Sequence, residues 1–275
     1  MSLNHERVQP ILRVDGLNVE LKIRNKQKKL VENVSFEVEP GQCLGILGES
    51  GSGKSMTVKA ILGLLDRQFR IEGQAWFEGK DLCRAGRDEL RRLRGQKIGM
   101  VLQNPMTCFD PLYRIGSQMA ETFAAHTDWD RAKIREISLE VLEKMRIHNP
   151  EEVLGQYPHQ LSGGMLQRVI IAMAMMLDAK FVLADEPTTA LDVIHRNGII
   201  DLFSQMKANG VGIFMVTHDF ATALQLGGNV LVMKEGKIIE SGEVQSVFDH
   251  TTEPYTRSLI EAYSLSCAFT KGAES

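Results

Sequence analysis

Ile11–Leu21 and Val31–Val38 alternate apolar with polar residues, and the basic run Lys22–Lys29 lies between them. Period-two alternation describes a strand with one buried face, so this region predicts two antiparallel strands joined by a solvated turn. A basic run of this kind can also meet anionic lipid headgroups. Pro40-Gly41 then turns the chain into the short apolar strand Cys43–Leu47. Ile71–Glu78 alternates again, and Gly79-Lys80 closes it. From Asp88 to about Pro158 the spacing changes to steps of three and four, interrupted by a short strand at Ile98–Leu102. Leu112–Ala125 and Ile134–Met145 are the helices this spacing predicts, and their methionines serve helix packing.

Beyond residue 160 helices and strands alternate. The predicted order is helix Gly164–Leu177, strand Phe181–Ala184, helix Leu191–Lys207, strand Val211–Val216, helix Ala221–Leu226 and strand Val230–Met233. These strands are short and apolar on both faces, as in a buried parallel sheet of the α/β class. Gly236 and Gly242 bracket a last hairpin, and Val244–His250 and Tyr255–Tyr263 predict closing helices. The expected organisation is one domain over residues 1–275. It has an antiparallel β subdomain with a glycine-rich loop at 11–87 and a mainly helical inserted lobe at 88–160. The rest of the core follows at 161–250, with a C-terminal helix and tail at 251–275.

The 275 residues are enough for a substantial core, and the formal charge of −3 argues against a nucleic-acid partner. The longest uninterrupted apolar run, Val169–Leu177, is far short of the roughly 20 residues that span a bilayer. The N-terminal residues do not resemble a secretion signal. A soluble chain is expected, with any membrane role supplied by a partner. Cys43, Cys83, Cys108 and Cys267 show neither paired nor metal-ligand spacing and read as reduced thiols of a cytosolic protein.

Gly48-Glu49-Ser50-Gly51-Ser52-Gly53-Lys54-Ser55 follows the strand Cys43–Leu47 directly and precedes the helical stretch that begins at Met56. Strand, glycine-rich turn and helix start in that order make a phosphate cradle: backbone N–H groups line one concavity and the helix adds partial positive charge. Lys54 is placed to reach the β- and γ-phosphates and Ser55 to ligate Mg²⁺, so the chain is expected to bind a nucleoside triphosphate. Phe181–Ala184 leads into Asp185-Glu186. In a parallel sheet the strand ends gather beside the phosphate loop. Asp185 is therefore the expected Mg²⁺ holder and Glu186 the residue that polarises the attacking water. Leu161-Ser162-Gly163-Gly164-Met165-Leu166-Gln167-Arg168 is a second glycine turn opening a helix, with Ser162 as its N-cap. One nucleotide needs one cradle. A second makes sense if it serves the γ-phosphate of a nucleotide held by another copy.

With these motifs in place the chain resembles the nucleotide-binding subunits of the ABC (ATP-binding cassette) transporters essentially end to end. Leu161–Arg168 resembles the family signature, whose Leu161, Ser162, Gly163, Gly164, Met165 and Gln167 would contact ATP in trans. The resemblance assigns Gln103 to the Q-loop as a contact to Mg²⁺ and water, Ala190-Leu191-Asp192 to the D-loop that crosses the dimer interface, and His218 to the switch position at the γ-phosphate. Glu186 and His218 become the implied catalytic pair, and Met56 joins the ATP-binding loop. Family members usually stack an aromatic residue of the first hairpin on adenine. Residues 11–35 hold no Phe, Tyr or Trp, so Ile23 or Val31 is left as an aliphatic support and no stacking residue is assigned.

Sustained heptads, a second cassette and fused membrane helices are absent from the sequence, which leaves a free-standing ATPase subunit that docks on a separate permease. Leu90–Gly95, Asn104–Met106, Phe109–Leu112, Tyr157–Arg168 and Pro254–Leu259 resemble the peptide/nickel uptake branch. The short tail and the Met165-Leu166-Gln167-Arg168 ending of the signature stretch lean toward the nickel-type subunits, including those importing metal–metallophore complexes, with a dipeptide or oligopeptide importer as the alternative. A soluble ABC ATPase acting on nucleic acid is the alternative of another class. The resemblance implies ATP and Mg²⁺ as cofactors and a location on the cytoplasmic face of the bacterial plasma membrane. Its partners would be permease subunits near Gln103–Ile115, a related second ATPase in a head-to-tail dimer, and indirectly an extracytoplasmic solute-binding protein.

Overall fold

The computed structural model describes residues 9–23, 26–177, 179–188 and 193–272. The expected D-loop, Ala190-Leu191-Asp192, lies outside them. The chain builds two sheets with a helix between them and a helical lobe at one edge. Strands β1 (Leu12–Ile23) and β2 (Lys26–Val38) form the first hairpin, followed by β3 (Cys43–Leu47), α1 (Lys54–Ile61), β4 (Phe69–Phe77) and β5 (Lys80–Asp81). Then come α2 (Arg87–Gln96), β6 (Ile98–Val101), α3 (Ile115–His126), α4 (Arg131–Lys144), α5 (Pro150–Gly155), α6 (Gly163–Met176) and β7 (Phe181–Asp185). The chain continues through α7 (Val193–Ala208), β8 (Gly212–Val216), α8 (Phe220–Leu226), β9 (Asn229–Lys234), β10 (Lys237–Glu243), α9 (Val244–His250) and α10 (Pro254–Gly272).

The antiparallel sheet has the order β2-β1-β4-β5, and the core sheet the order β10-β9-β3-β8-β7-β6. In the core sheet β6, β7, β8, β3 and β9 run parallel and β10 is antiparallel. The strands reach further into the basic run than expected, β1 to Ile23 and β2 from Lys26, and Arg24-Asn25 between them lie outside the described residues. Lys22 pairs with Gln27, Leu21 with Lys28 and Glu20 with Lys29, so the lysines extend the hairpin ladder. Long lysine side chains lie along an edge ladder while their ammonium groups stay in water. The alternation in β1 also changes phase: Leu12 and Val14 are buried, and so are Leu17 and Val19. A bulge with Gly16 at φ 55° absorbs the extra residue, which keeps both pairs on one face.

Alternate residues of the fully buried core strands face two different clusters. Leu44, Ile46, Phe181, Leu183, Phe214 and Val216 pack with α1 and the antiparallel sheet, where Phe36 stacks on Phe214 at 4.7 Å. Cys43, Val182, Ala184, Ile213 and Met215 face the other way, into the cluster shared with α6, α7 and the lobe. Burial on this scale contributes roughly 25 cal/mol per Å² of apolar surface. The lobe's core therefore runs continuously into α6, and β6, although it falls within residues 88–160, pairs with β7 in the core sheet. The first lobe helix starts at Ile115 and not at Leu112. Leu112 and Tyr113 stand in the preceding loop at 78% and 59% exposure. Asp130 caps α4 through its Oδ1, which accepts from the Lys133 N–H at 2.8 Å, and so starts that helix a turn before Ile134. Among the described residues no helix is long and apolar enough to cross a membrane.

Candidate functional site

Parallel register sets the site. Ile46 on β3 and Asp185 on β7 both pair with Val216 of β8, and Val101 of β6 pairs with Ala184. The chain leaves all four strands at one edge within a residue or two of those pairs. That edge therefore carries the Gly48–Ser55 loop, Gln103, Glu186 and His218 side by side.

Sterics shape the loop. Gly48 has φ 149°, and a Cβ there would stand 2.2 Å from the Met233 carbonyl oxygen. Gly53, at φ 111°, opens α1, and a Cβ on it would meet the Leu30 carbonyl at 2.7 Å. Only glycine fits either position. At the loop's crest Gly51 has open space where a Cβ would stand, and Glu49 and Ser50 are exposed. Lys54 is 5% exposed and donates from Nζ to the carbonyls of Gly48 at 2.7 Å and Glu49 at 2.8 Å. Burial pushes its ammonium below the usual lysine value, while the carboxylates of Glu186, Asp185 and Glu49 pull it back up. Ser52 is buried, and its Oγ has no hydrogen-bond partner. Met56 packs against the cluster under α1 and leaves only its backbone for the loop.

Ser55 Oγ donates to Asp185 Oδ1 at 3.1 Å. Asp185 is 5% exposed, and burial pushes its carboxyl above the usual aspartate range. The Ser55 hydrogen bond partly reverses this, and neighbouring Glu186 adds to it. A buried carboxylate that Lys59 and Lys54 compensate only in part, beside a hydroxyl, is a donor set that suits Mg²⁺, an ion that takes few protein ligands and keeps its waters. Glu186 adopts φ 49°, and its N–H donates to the Val216 carbonyl at 2.8 Å. A non-glycine residue there carries strain, and the β8 contact holds it. Its carboxylate is gripped from both sides: Gln103 Nε2 donates to Oε2 at 3.0 Å, and His218 Nδ1 stands 3.4 Å from Oε1. His218 stays half-exposed, with 57% of its side chain accessible.

Asp185→Asn tests what burial of this charge costs. A folded-state value above the unfolded one means the folded protein holds the proton more tightly. The group therefore lowers stability as pH rises past the ordinary aspartate value, and that cost is fully present at neutral pH. The asparagine variant is expected to raise the thermal midpoint of the nucleotide-free protein and to lose Mg²⁺-dependent turnover. Calorimetry at pH 7 reads the first effect, and a lowered midpoint would contradict it.

The second glycine turn lies on the lobe. Ser162 Oγ accepts from the Met165 N–H at 3.2 Å as the N-cap of α6, Ser162 and Gly163 are exposed, and nothing stands over Gly163. Gly164 and Met165 are partly buried. Leu161 and Gln167 do not fit the facing expected of them. They are 7% and 3% exposed, with Leu161 in the lobe's core and Gln167 Nε2 unpartnered inside the protein. A helix opened by Ser162 turns only its first residues outward, so the fifth position after the cap faces the core. Val31 is fully buried under the hairpin and cannot support a base, and the Ile23 side chain lies outside the described residues. The C-terminal segment adds a contact absent from the sequence reading: Tyr255 Oη accepts the Glu49 N–H at 2.9 Å. The one signal for it in the sequence is the Pro254–Leu259 stretch, whose resemblance to the uptake branch says nothing of a contact to the loop.

The family model described as ABC transporter matches residues 31–189. The chain is 38% identical over 256 residues to the oligopeptide transport ATP-binding protein OppD of Haemophilus influenzae, covering 93% of this chain and 79% of that protein. It is 37% identical over 254 residues to the dipeptide transport ATP-binding protein DppD of Escherichia coli, with 92% and 78% covered. In structure it is similar to the ATP-binding cassette MJ0796 in a dimeric post-hydrolysis state bound to ADP and Pi, at TM-score 0.77, 26% identity, and coverage of 85% and 98%. Similarity to cbiO1 of Clostridium perfringens gives a TM-score of 0.72 at 27% identity, with 88% and 91% covered. OppD and DppD are peptide transport proteins, which overturns the lean toward nickel. Neither the length of the tail nor Met165-Leu166-Gln167-Arg168 holds chemistry that reads a transported solute. Four strand ends meeting at a phosphate loop, the sequence match and the shared cassette fold lead to one conclusion: the chain belongs to the ABC transporter family and is an ATP-binding, ATP-hydrolysing cassette.

Proposed function

We propose that this chain powers a peptide importer, as one of two ATPase subunits on the cytoplasmic face of a separate membrane permease. The observation that carries the ATPase part is the convergence of Lys54, Ser55, Asp185, Gln103, Glu186 and His218 on one sheet edge, where hydrogen bonds join Ser55 to Asp185 and Gln103 to Glu186 and His218 stands beside Glu186. Peptide as the solute class is supported by the identities to OppD and DppD.

In this reading the Gly48–Ser55 backbone and Lys54 hold the triphosphate, and Ser55, Asp185 and Gln103 hold Mg²⁺. The ion supplies charge compensation on the phosphate oxygens. Glu186 orients the attacking water and takes its proton, while His218 reaches the γ-phosphate from the opposite side. Ser162, Gly163 and Gly164 are offered to the nucleotide of a partner cassette, with Ala190-Leu191-Asp192 at the interface. Two such half-sites face each other in a head-to-tail pair. ATP contacts both halves only when the pair is closed, so binding shifts the population toward closure and hydrolysis releases it.

Permease docking on the Gln103–Ile115 segment is supported by its exposed apolar residues, Met106 at 43%, Leu112 and Tyr113. Isolated surface apolar residues are ordinary, whereas three within one loop beside the site are a contact patch. The test is uptake of a radiolabelled dipeptide by a strain that lacks the gene. Wild type should restore uptake and Glu186→Gln should not. Dipeptide uptake that persists undiminished without the gene overturns the peptide assignment.

A further inference from the structure

We propose that Tyr255 is a positioning residue for the phosphate loop: its hydroxyl and the Lys54 ammonium grip opposite ends of the single peptide unit that joins Gly48 to Glu49. The inference rests on the ATPase reading above. The C=O of that unit belongs to Gly48 and accepts from Lys54 Nζ at 2.7 Å. Its N–H belongs to Glu49 and donates to Tyr255 Oη at 2.9 Å. In a trans peptide these two groups point in opposite directions within one plane. Holding the N–H therefore fixes the direction of the carbonyl that seats the lysine.

Tyr255 is built to hold its end. It begins α10, 206 residues along the chain from Glu49. Its side chain is buried to 8% exposure in the cluster with Leu47, Phe220, Val232 and Val247, and Leu47 is the residue just before the loop. Lys234 Nζ stands 4.8 Å from the ring centroid, a cation–π contact on the strand beside β3. The ring thus has packing around it and a cation on its face, and the hydroxyl has one position. The next peptide unit has little freedom either: the Glu49 carbonyl receives Lys54 at 2.8 Å and the Ser52 N–H at 3.2 Å.

Without the hydroxyl, the 48–49 peptide loses the partner of its N–H and can rotate, which unseats Lys54 before nucleotide arrives. The cost falls on binding. Once the triphosphate is in place, its oxygens hold Lys54 and the loop, so the chemical step no longer needs the tyrosine. Preorganisation of this kind changes affinity more than turnover.

The experiment compares wild type, Tyr255→Phe and Tyr255→Leu by mant-ATP titration, steady-state ATPase kinetics and thermal unfolding. Phenylalanine keeps the packing and the Lys234 contact and removes only the oxygen. It is expected to raise the mant-ATP Kd and the KM for ATP about fivefold, the loss of one hydrogen bond. Its kcat should stay within about twofold and its thermal midpoint should match wild type. Leucine should raise KM similarly and also lower the midpoint. A phenylalanine variant with wild-type Kd and KM overturns the proposal. So does one whose kcat and midpoint fall together, since that describes a packing role. Failure of wild type to bind mant-ATP would instead overturn the ATPase reading, which keeps the two failures apart.

Discussion

Glu186→Gln is expected to leave ATP binding intact while lowering hydrolysis by about 100- to 10,000-fold, the range for removal of a general base. The substitution is nearly isosteric and can keep both neighbours. The amide oxygen still accepts from Gln103 Nε2, and the amide N–H₂ can donate to a neutral His218 Nδ1, at positions now 3.0 and 3.4 Å apart. The strained φ of 49° is kept by the same N–H bond to Val216. What disappears is the ability to take a proton from water. ATP bound but not cleaved should hold the closed pair, so size-exclusion chromatography with ATP and Mg²⁺ should show a dimer that wild type does not accumulate. Undiminished phosphate release would remove Glu186 from this role.

Lys54→Ala is expected to weaken ATP binding by about 10- to 100-fold, the value of one or two charge-assisted hydrogen bonds. Two effects add. The triphosphate loses its mobile cation, and the Gly48 and Glu49 carbonyls lose the donor that orients them. Removal of the ammonium also leaves Asp185 and Glu186 with less positive charge nearby, which makes binding depend more steeply on Mg²⁺. Calorimetric titration with a non-hydrolysable analogue at two Mg²⁺ concentrations measures both effects. Thermal unfolding of the variant establishes that the loop, and not the fold, was changed. Equal affinity for variant and wild type would refute the phosphate-loop assignment.

The chemistry was legible wherever a short run of residues carries its own geometry. Gly48 and Gly53 had to be glycine because the loop turns through φ values and close approaches that a Cβ forbids. Ser162 had to cap a helix because its hydroxyl reaches a backbone N–H three residues on. Local periodicity likewise gave the core strands and helices to within a few residues, since burial of one face or two is written in the order of apolar positions. It placed Leu112 inside a helix for the same reason it succeeded elsewhere: it counts apolar residues and does not know that Leu112 and Tyr113 have nothing to pack against. Charge is a weak guide to where a strand ends at an edge ladder, because side chains escape to water while the backbone pairs; Lys22, Lys26, Lys28 and Lys29 therefore lie in the hairpin although their charge suggests a turn.

Contacts between distant segments were decided by the tertiary structure. The register of β3, β6, β7 and β8 brings Gln103 and His218 onto the two oxygens of Glu186, residues separated by tens of positions and brought together by contacts that leave no periodic trace. The inward turn of Leu161 and Gln167 depends on how α6 rotates against the lobe. The reach of Tyr255 to Glu49 depends on α10 packing beside β9. Residue types and spacing along this chain determined that it carries a glycine-rich loop between a strand and a helix, a strand end bearing two carboxylates and a second glycine turn. Folding alone determined which side chains meet across the sheet edge, because those meetings arise from packing of elements whose sequences do not encode one another's distance.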